Sequence, residues 1–543
     1  MSKRLNWKLI IFILIALIAG FFAGNFFSSK SLSRKLFLNK KNKIDLVLDI
    51  INEEYVDTIN IQQMIENSIP KIVGELDPHS DYIPAGSLET LKESMDGHFA
   101  GIGIEYAYHR DTLVVSYLSH GGPAEQAGIL AGDRIVAIND SSYVSENFSE
   151  EKIENVMRGK VGSPLKLNIK RNNSDSLLTF RIIRTYIPTK TVKAAYELSP
   201  GVGIIKIAEF SHTTYDEFVN AMARLKNCNS LILDLRSNKG GSFDAAIKIC
   251  NEFLPEGRVI VYAEGKSFPR ENVEADGSGT LQKCNLAVLM DEISASASEI
   301  VAGAIQDNDR GLIIGRRSYG KGLIQNQIEL SDGSALRLTI ARYFTPSGRN
   351  IQRKYELGNS EGYNQEWIER LVKEGFTEED PSRVVDTAKV FHTLNGRKVY
   401  GGGGIMPDIF VPMDTSELTS YYIKLEKNDV FRSFAFDYSD SNRGLLKSFE
   451  NWQGLLKYLN SQDLLDEVVL FAEKKGVKRR SNLIYTSANQ IVNMTSAYIL
   501  QNFYGEEMMY YTILNNDKMV KKAVETLKNE KEGLNPLLAA QSE

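Results

Sequence analysis

From Gly201 onward the sequence alternates short apolar runs with amphipathic stretches. VGIIKIAEF precedes YDEFVNAMARLKN, SLILDLRSN precedes KGGSFDAAIKICNEF, and RVIVYAE and NLAVLMD precede DEISASASEIVAGAIQD, with GLIIGRR beyond. Runs of four to eight residues rich in Val, Ile and Leu read as buried strands, and the amphipathic stretches between them read as helices. This alternation restricts the segment to an α/β core with largely buried strands. IQNQIEL, SDG and SALRLTIARYF add an expected β-hairpin.

At 543 residues the chain is too long for one core, and changes of texture divide it. Residues 30–95 read as a helical region, with IDLVLDIINEEYV and IQQMIENSIPKIVGEL at helical spacing and LDPHSDYIP as a turn-rich connection. Residues 96–185 read as a small β-domain of short strands and two helices. The α/β core spans 186–412, interrupted by a charged, partly helical insertion at 354–397, and 413–543 are rich in helices. A net charge of −5 gives no field that favours nucleic acid. Cys228, Cys250 and Cys284 lack metal-ligand spacing and suit core packing.

The N-terminal segment 1–29 carries an apolar run at 9–27, LIIFILIALIAGFFAGNFF, long enough to span a bilayer. The expectation is an uncleaved anchor with the remaining chain outside the cytoplasm. A cleavable signal is the alternative, and lysines and arginines on both sides leave the orientation to other evidence.

The chemistry concentrates in two places. Ser296 stands three residues before Glu299, the spacing of a helix capping box. A serine there lies near the positive end of a helix dipole and near free N–H groups, features that stabilise an oxyanion. It needs a base, and no histidine lies nearby in sequence. His79, His98, His109, His120, His212 and His392 are scattered, so a Ser-His-Asp triad would have to assemble in space. Lysine serves as the base when burial lowers its pKa. Lys321 lies between Gly320 and Gly322, and strand alternation would place it with Leu323 and Gln325 on one face. A lysine between glycines also fits a surface turn. Gly240 and Gly241 offer further unobstructed amides.

GIGIEY, GGPAEQAGILAGDRIVAIND and VMRGKVGSPLKLNI resemble a PDZ domain of bacterial proteases. LDLRSNKGG, SASASEIVAGAIQD, GRRSYGKGLIQ, FTPSGRNIQ and GGIMPDI, in this order, resemble the carboxy-terminal processing proteases, the tail-specific Ser–Lys peptidases of family S41. The resemblance implies a crotonase/Clp-like protease core with an embedded PDZ domain. It implies Ser296 as nucleophile, Lys321 as general base and Gln325 as its support. The oxyanion donors would be the N–H of Ala297 and of Gly240 or Gly241, and Ser294 and Ser298 would be structural. Gly101, Ile102, Gly103 and Ile104 would hold a substrate's terminal carboxylate. The implied activity is endopeptidase cleavage of envelope or periplasmic proteins near apolar C-terminal tails, without metal or cofactor, at the inner membrane of a bacterium. Homo-oligomerisation and an adaptor stay open as partners. The alternative is a PDZ scaffold or chaperone that binds tails without cutting them.

Overall fold

The computed structural model describes residues 42–109, 112–144, 149–171, 176–374 and 390–531, with Leu14, Leu17 and Ile18. Apart from those three residues, the run called as a membrane anchor lies outside the described residues. Among the described residues no helix is long and apolar enough to cross a membrane. The chain divides into two units, 1–73 and 74–543. The first contains α1 (Lys43–Glu54), capped by the Asn42 side chain, and α2 (Ile61–Val73).

In the second unit, β1 (Asp81–Ile83) precedes α3 (Ala85–Asp96), which ends where Gly97 turns left-handed at φ 71°. The β-domain follows, with β2 (His98–Gly101), β3 (Ile104–His109), β4 (Thr112–Leu118), β5 (Arg134–Ile138), α4 (Glu150–Met157), β6 (Pro164–Lys170), β7 (Leu178–Ile183) and β8 (Thr185–Pro188). Strands β3-β4-β5-β6-β7 form an antiparallel sheet with β3 at one edge, and β2 pairs with β8. Alternation is visible in β6, where Leu165, Leu167 and Ile169 point into a core shared with Ile153 and Met157 of α4. The expected PDZ architecture is present.

The protease-like core holds two sheets. Its strands and helices are β9 (Val192–Ser199), β10 (Val202–Ile207), α5 (Thr214–Arg224), β11 (Ser230–Asp234), α6 (Phe243–Phe253), β12 (Val259–Gly265), β13 (Phe268–Glu274), β14 (Asn285–Met290), α7 (Ala297–Asp307), β15 (Leu312–Gly315), β16 (Leu323–Glu329), β17 (Ala335–Phe344), α8 (Ser360–Glu374), β18 (Val390–His392), β19 (Lys398–Tyr400) and β20 (Ile409–Phe410). One sheet runs β9-β10-β11-β14-β15-β20, parallel from β10 onward. The other is antiparallel, β1-β17-β12-β13, with the expected hairpin partner β16 on β17.

The period of two sorts the apolar side chains of the parallel sheet onto two buried faces. Leu231, Leu233, Leu286, Val288 and Ile313 pack with α5, α6 and α7, whereas Ile232, Ala287, Leu289, Leu312 and Ile314 face the other way. That second face is covered by α9 (Lys518–Lys531) through Met519, Val520, Ala523 and Leu527. The preceding C-terminal helices, from Ser420 to Tyr504, have a separate core, while Leu514 of the helix Glu506–Asn516 joins α9 on the sheet. They meet the PDZ domain through the Arg134–Asp440 ion pair at 3.1 Å. The helical extension therefore completes the core sheet.

LDPHSDYIP, read from sequence as a connecting turn, also supplies β1, whose residues 81–83 pair with 337–335 of β17. Three residues are too few for a period-two signal to emerge. Cys250 is fully buried, and Cys228 and Cys284 pack against the same core.

Leu527 is 1% exposed on the covered face of the sheet. Leu527→Ala is expected to cost about 2–4 kcal/mol in urea unfolding, against less than about 0.5 kcal/mol for Leu470→Ala on an exposed helix face. Equal effects would contradict the covering role of α9.

Candidate active site

Past β14 the chain turns sharply into α7. Asp291 builds the turn, its Oδ1 accepting from the N–H groups of Ser237 (2.9 Å), Ile293 (3.1 Å) and Ser294 (3.1 Å). At the end of the turn Ser296 adopts φ 56° and ψ −114°, a sparsely populated conformation for a residue with a side chain. Strain of this kind costs on the order of 1–3 kcal/mol and persists only where the surroundings over-determine it. Ser296 is half-buried between buried Ala295 and Ala297, at the positive end of an eleven-residue helix.

The three serines differ in their partners. Ser294 Oγ donates to the Leu235 carbonyl (2.9 Å) and accepts from the Asp291 N–H (3.0 Å), and Ser298 Oγ donates to the Asn238 carbonyl (3.0 Å). Both are structural. Ser296 and Glu299 form the expected capping box, with its glutamate half well shaped: Oε2 accepts from the Ser296 N–H at 2.9 Å. The Ser296 hydroxyl half of the box is the looser of the two.

Glu299 does more than cap. The same Oε2 accepts from the backbone N–H of Lys321 at 2.9 Å, while Oε1 accepts from Ser318 Oγ at 2.5 Å and from the Gly320 N–H at 2.7 Å. Burial pushes this carboxyl pKa up, and the four hydrogen bonds pull against that rise. A second bridge comes from Tyr343 of β17, whose single hydroxyl proton is shared between the carbonyls of Lys321 (2.6 Å) and, more weakly, Ser296 (3.2 Å). Burial keeps Tyr343 protonated, its pKa well above the usual value.

Lys321 lies in the turn before β16, half-buried. Its Nζ is 2.9 Å from Gln325 Oε1, so the sequence pairing of these residues is realised. Burial and the Arg337 cation lower the amine's pKa, outweighing the opposing pull of Glu299 and Asp77. The other end of the Gln325 amide, Nε2, donates to the backbone carbonyl of His79. This brings LDPHSD into the site, which sequence reasoning missed. Asp77 shapes that loop by accepting from the N–H groups of His79 (3.0 Å) and Ser80 (3.1 Å) and from Thr339 Oγ1 (3.0 Å). Burial, assisted by the nearby Lys321 cation, depresses the His79 pKa to about 4, so its ring is neutral at pH 7 and a weak base.

The glycine turn lies against Ser296. A Cβ on Gly240 would stand 2.7 Å from Ser296 Cβ and 2.9 Å from the Ala297 nitrogen, so only glycine fits. The Gly240 N–H is committed to Asn238 Oδ1 at 2.8 Å. Asn238 fixes turn to turn, its carbonyl accepting from the Ala295 N–H at 2.9 Å. Upstream, Asp234 and Arg236 pair at 2.7 Å, and Arg236 Nη1 reaches Asp517, just before α9, at 2.8 Å.

Ser296, Ala297, Gly240, Gly241, Lys321 and Gln325 thus converge. Gly101, Ile102, Gly103 and Ile104 lie apart from them, where β2 ends and edge strand β3 begins, and Gly103 takes φ 74°. A groove of 480 Å³ follows β3, lined by Tyr106 and Tyr108 of that strand, by Ile153 and Glu154 of α4, and by Arg432 and Phe436 of a C-terminal helix. Among the described residues no group of three His, Cys, Asp or Glu is placed to hold a metal ion.

Glu299 receives only donors, so an amide in its place sets an N–H₂ against two of them. Glu299→Gln is expected to destabilise the fold by about 1–3 kcal/mol and to reduce labelling by a serine-directed fluorophosphonate by at least about tenfold. Wild-type labelling would show that the carboxylate does not set the site.

Three segments match known protein families: residues 201–358 match peptidase family S41, 100–182 a PDZ domain, and 421–505 a family of unknown function (DUF8443). The sequence is 35% identical over 312 residues to the carboxy-terminal-processing protease of Bartonella bacilliformis, covering 56% of this chain and 71% of that one. It is 32% identical over 317 residues to a probable CtpA-like serine protease of Staphylococcus aureus, covering 58% and 63%. The solved photosystem II D1 C-terminal processing protease aligns at 29% identity with a TM-score of 0.32, covering 56% of this chain and 83% of that one.

Proposed function

This chain belongs to peptidase family S41, with the carboxy-terminal-processing serine proteases, and from that premise we propose that it cuts envelope proteins near their C-termini with a Ser296–Lys321 dyad. The observation that carries the reading is the double tie between the two residues, through Glu299 Oε2 and the Tyr343 hydroxyl. A lysine amine becomes a useful base when its pKa falls toward the working pH, and burial moves Lys321 in that direction.

In the proposed reaction the free Lys321 amine takes the proton from Ser296 as Oγ attacks the scissile carbonyl carbon. The negative charge that develops on the carbonyl oxygen is met by the Ala297 N–H and by a glycine N–H. Gly240 is already committed to Asn238, which leaves Gly241 as the proposed donor. The Lys321 ammonium then protonates the departing amine nitrogen, and an acyl-enzyme remains. Water, deprotonated by the same amine, attacks the ester and restores Ser296.

The PDZ domain, in this reading, captures the substrate first. An apolar C-terminal tail adds as a strand to the edge of β3, and amides of the Gly101–Ile104 loop hold its carboxylate. Residues 9–27 anchor the chain in the inner membrane with the protease outside the cytoplasm. A homo-oligomer or an adaptor is compatible with this arrangement.

The test offers the protein pairs of substrates that differ only in their last few residues and weighs the products. Wild type is expected to cut the apolar-tailed member. Ser296→Ala should bind the tail without cutting, and Lys321→Ala should lose at least about 10³-fold in rate. The wild-type rate should rise with pH as the amine loses its proton and level off below 10.5, the unperturbed value. Tail binding with no cleavage at any pH would favour the scaffold reading.

A further inference from the structure

Helix α8 belongs to the segment that interrupts the core, yet its buried side chains end on the loops that carry the base. Arg370, 5% exposed, donates from Nη2 to the carbonyls of Ser318 (2.9 Å) and Tyr319 (3.2 Å), in the turn that leads into Lys321. On the other side of Lys321, the Gly322 N–H donates to Gln352 Oε1 at 2.8 Å, and Gln352 Nε2 donates to the Tyr363 hydroxyl at 3.2 Å. Tyr363, also 5% exposed, has its oxygen 3.1 Å from His79 Nε2. With that oxygen accepting from Gln352, the hydroxyl proton is directed to the neutral imidazole. The two rings meet edge to face, 5.3 Å apart at 88°. Arg353 backs Tyr363 from within, its guanidinium 3.9 Å from the ring centre.

We propose that α8 is a positioning element of the catalytic centre: Tyr363 fixes His79, whose carbonyl orients the Gln325 amide and, through it, the Lys321 amine. This rests on the Ser296–Lys321 reading above. The Gln325 amide has two ends, Nε2 on the His79 carbonyl and Oε1 on Lys321 Nζ. If His79 shifts, the amide turns, and the amine loses the acceptor that aims it. The insertion thus acts on the chemistry without touching the substrate.

The test uses the full chain and a fluorophosphonate probe, in which Ser296 Oγ displaces fluoride from phosphorus, so no tail or natural substrate is needed. Tyr363→Phe keeps the ring and removes the hydroxyl. Its saturating labelling rate is expected to fall roughly 3- to 10-fold, the value of one hydrogen bond, with probe affinity unchanged and the melting temperature within about 2 °C of wild type. His79→Ala, which keeps the carbonyl but removes the ring that Tyr363 holds, should slow labelling by a similar factor. In a Gln325→Ala background Tyr363→Phe should add nothing, because the route runs through Gln325. Val372→Ala, on the exposed face of α8, should match wild type.

Wild-type labelling by Tyr363→Phe or by His79→Ala, or a Tyr363→Phe effect that multiplies with that of Gln325→Ala, would overturn the proposal. Labelling that persists in Ser296→Ala would instead overturn the dyad on which it rests.

Discussion

A carboxylate with no exposed surface and four donors around it is the point from which the site is built. Glu299 receives Ser296 and Lys321 on one oxygen and Ser318 and Gly320 on the other. Removing a charge from water is costly unless hydrogen bonds replace the lost solvent, and here every donor comes from the Ser296 turn or the Lys321 loop. The bonds that make the buried charge tolerable are therefore the bonds that set the site's geometry. The same charge also acts on the Lys321 amine. It holds the Lys321 pKa up while burial and Arg337 bring it down. The reactivity of the amine is a balance, and Glu299 contributes to it as well as to the placement.

The site lies where the two core sheets meet. Ser296 follows a strand of the parallel sheet, whereas Gln325 and Tyr343 lie on the antiparallel one, and β1 brings the LDPHSD loop beside them. The strained turn at Ser296 is held from both sides, by Asn238 on the glycine turn and by Tyr343 on the hairpin. Ser296 is held by one sheet and Lys321 by the other, and the groups that bridge them, Glu299 and Tyr343, are fully buried.

Local pattern made the fold legible. Apolar runs gave the strands of the core, S-x-x-E gave the start of α7, and SDG gave the hairpin. The dyad candidates were legible because both lie in short stretches of unusual composition, SASAS and YGKG. His79, Tyr343 and the second role of Glu299 were not. Their partners are far away in the chain, and a contact between distant residues leaves no periodicity behind. Asp77 illustrates this: in sequence it is a turn residue, and only the fold brings Thr339 to it. Lys321 illustrates the converse, since a lysine between two glycines also suits a surface turn, and it is the surrounding loops that bury it.

The helical extension follows from the same physics. A parallel sheet with apolar residues on both faces has two faces to cover, and α5, α6 and α7 cover only one. The face bearing Ile232, Leu289 and Ile314 is covered by α9 together with Leu514 and Tyr510 of the preceding helix. Just before that helix, Asp517 accepts from Arg236, which also pairs with Asp234 at the end of β11. Arg236 leads directly into Asn238 and the glycine turn beside Ser296. Covering the sheet and bracing the proposed oxyanion loop are thus done by one stretch of chain. The C-terminal helices are part of how the catalytic domain is built, because α9 and Leu514 pack on the face of the sheet that α5, α6 and α7 leave open.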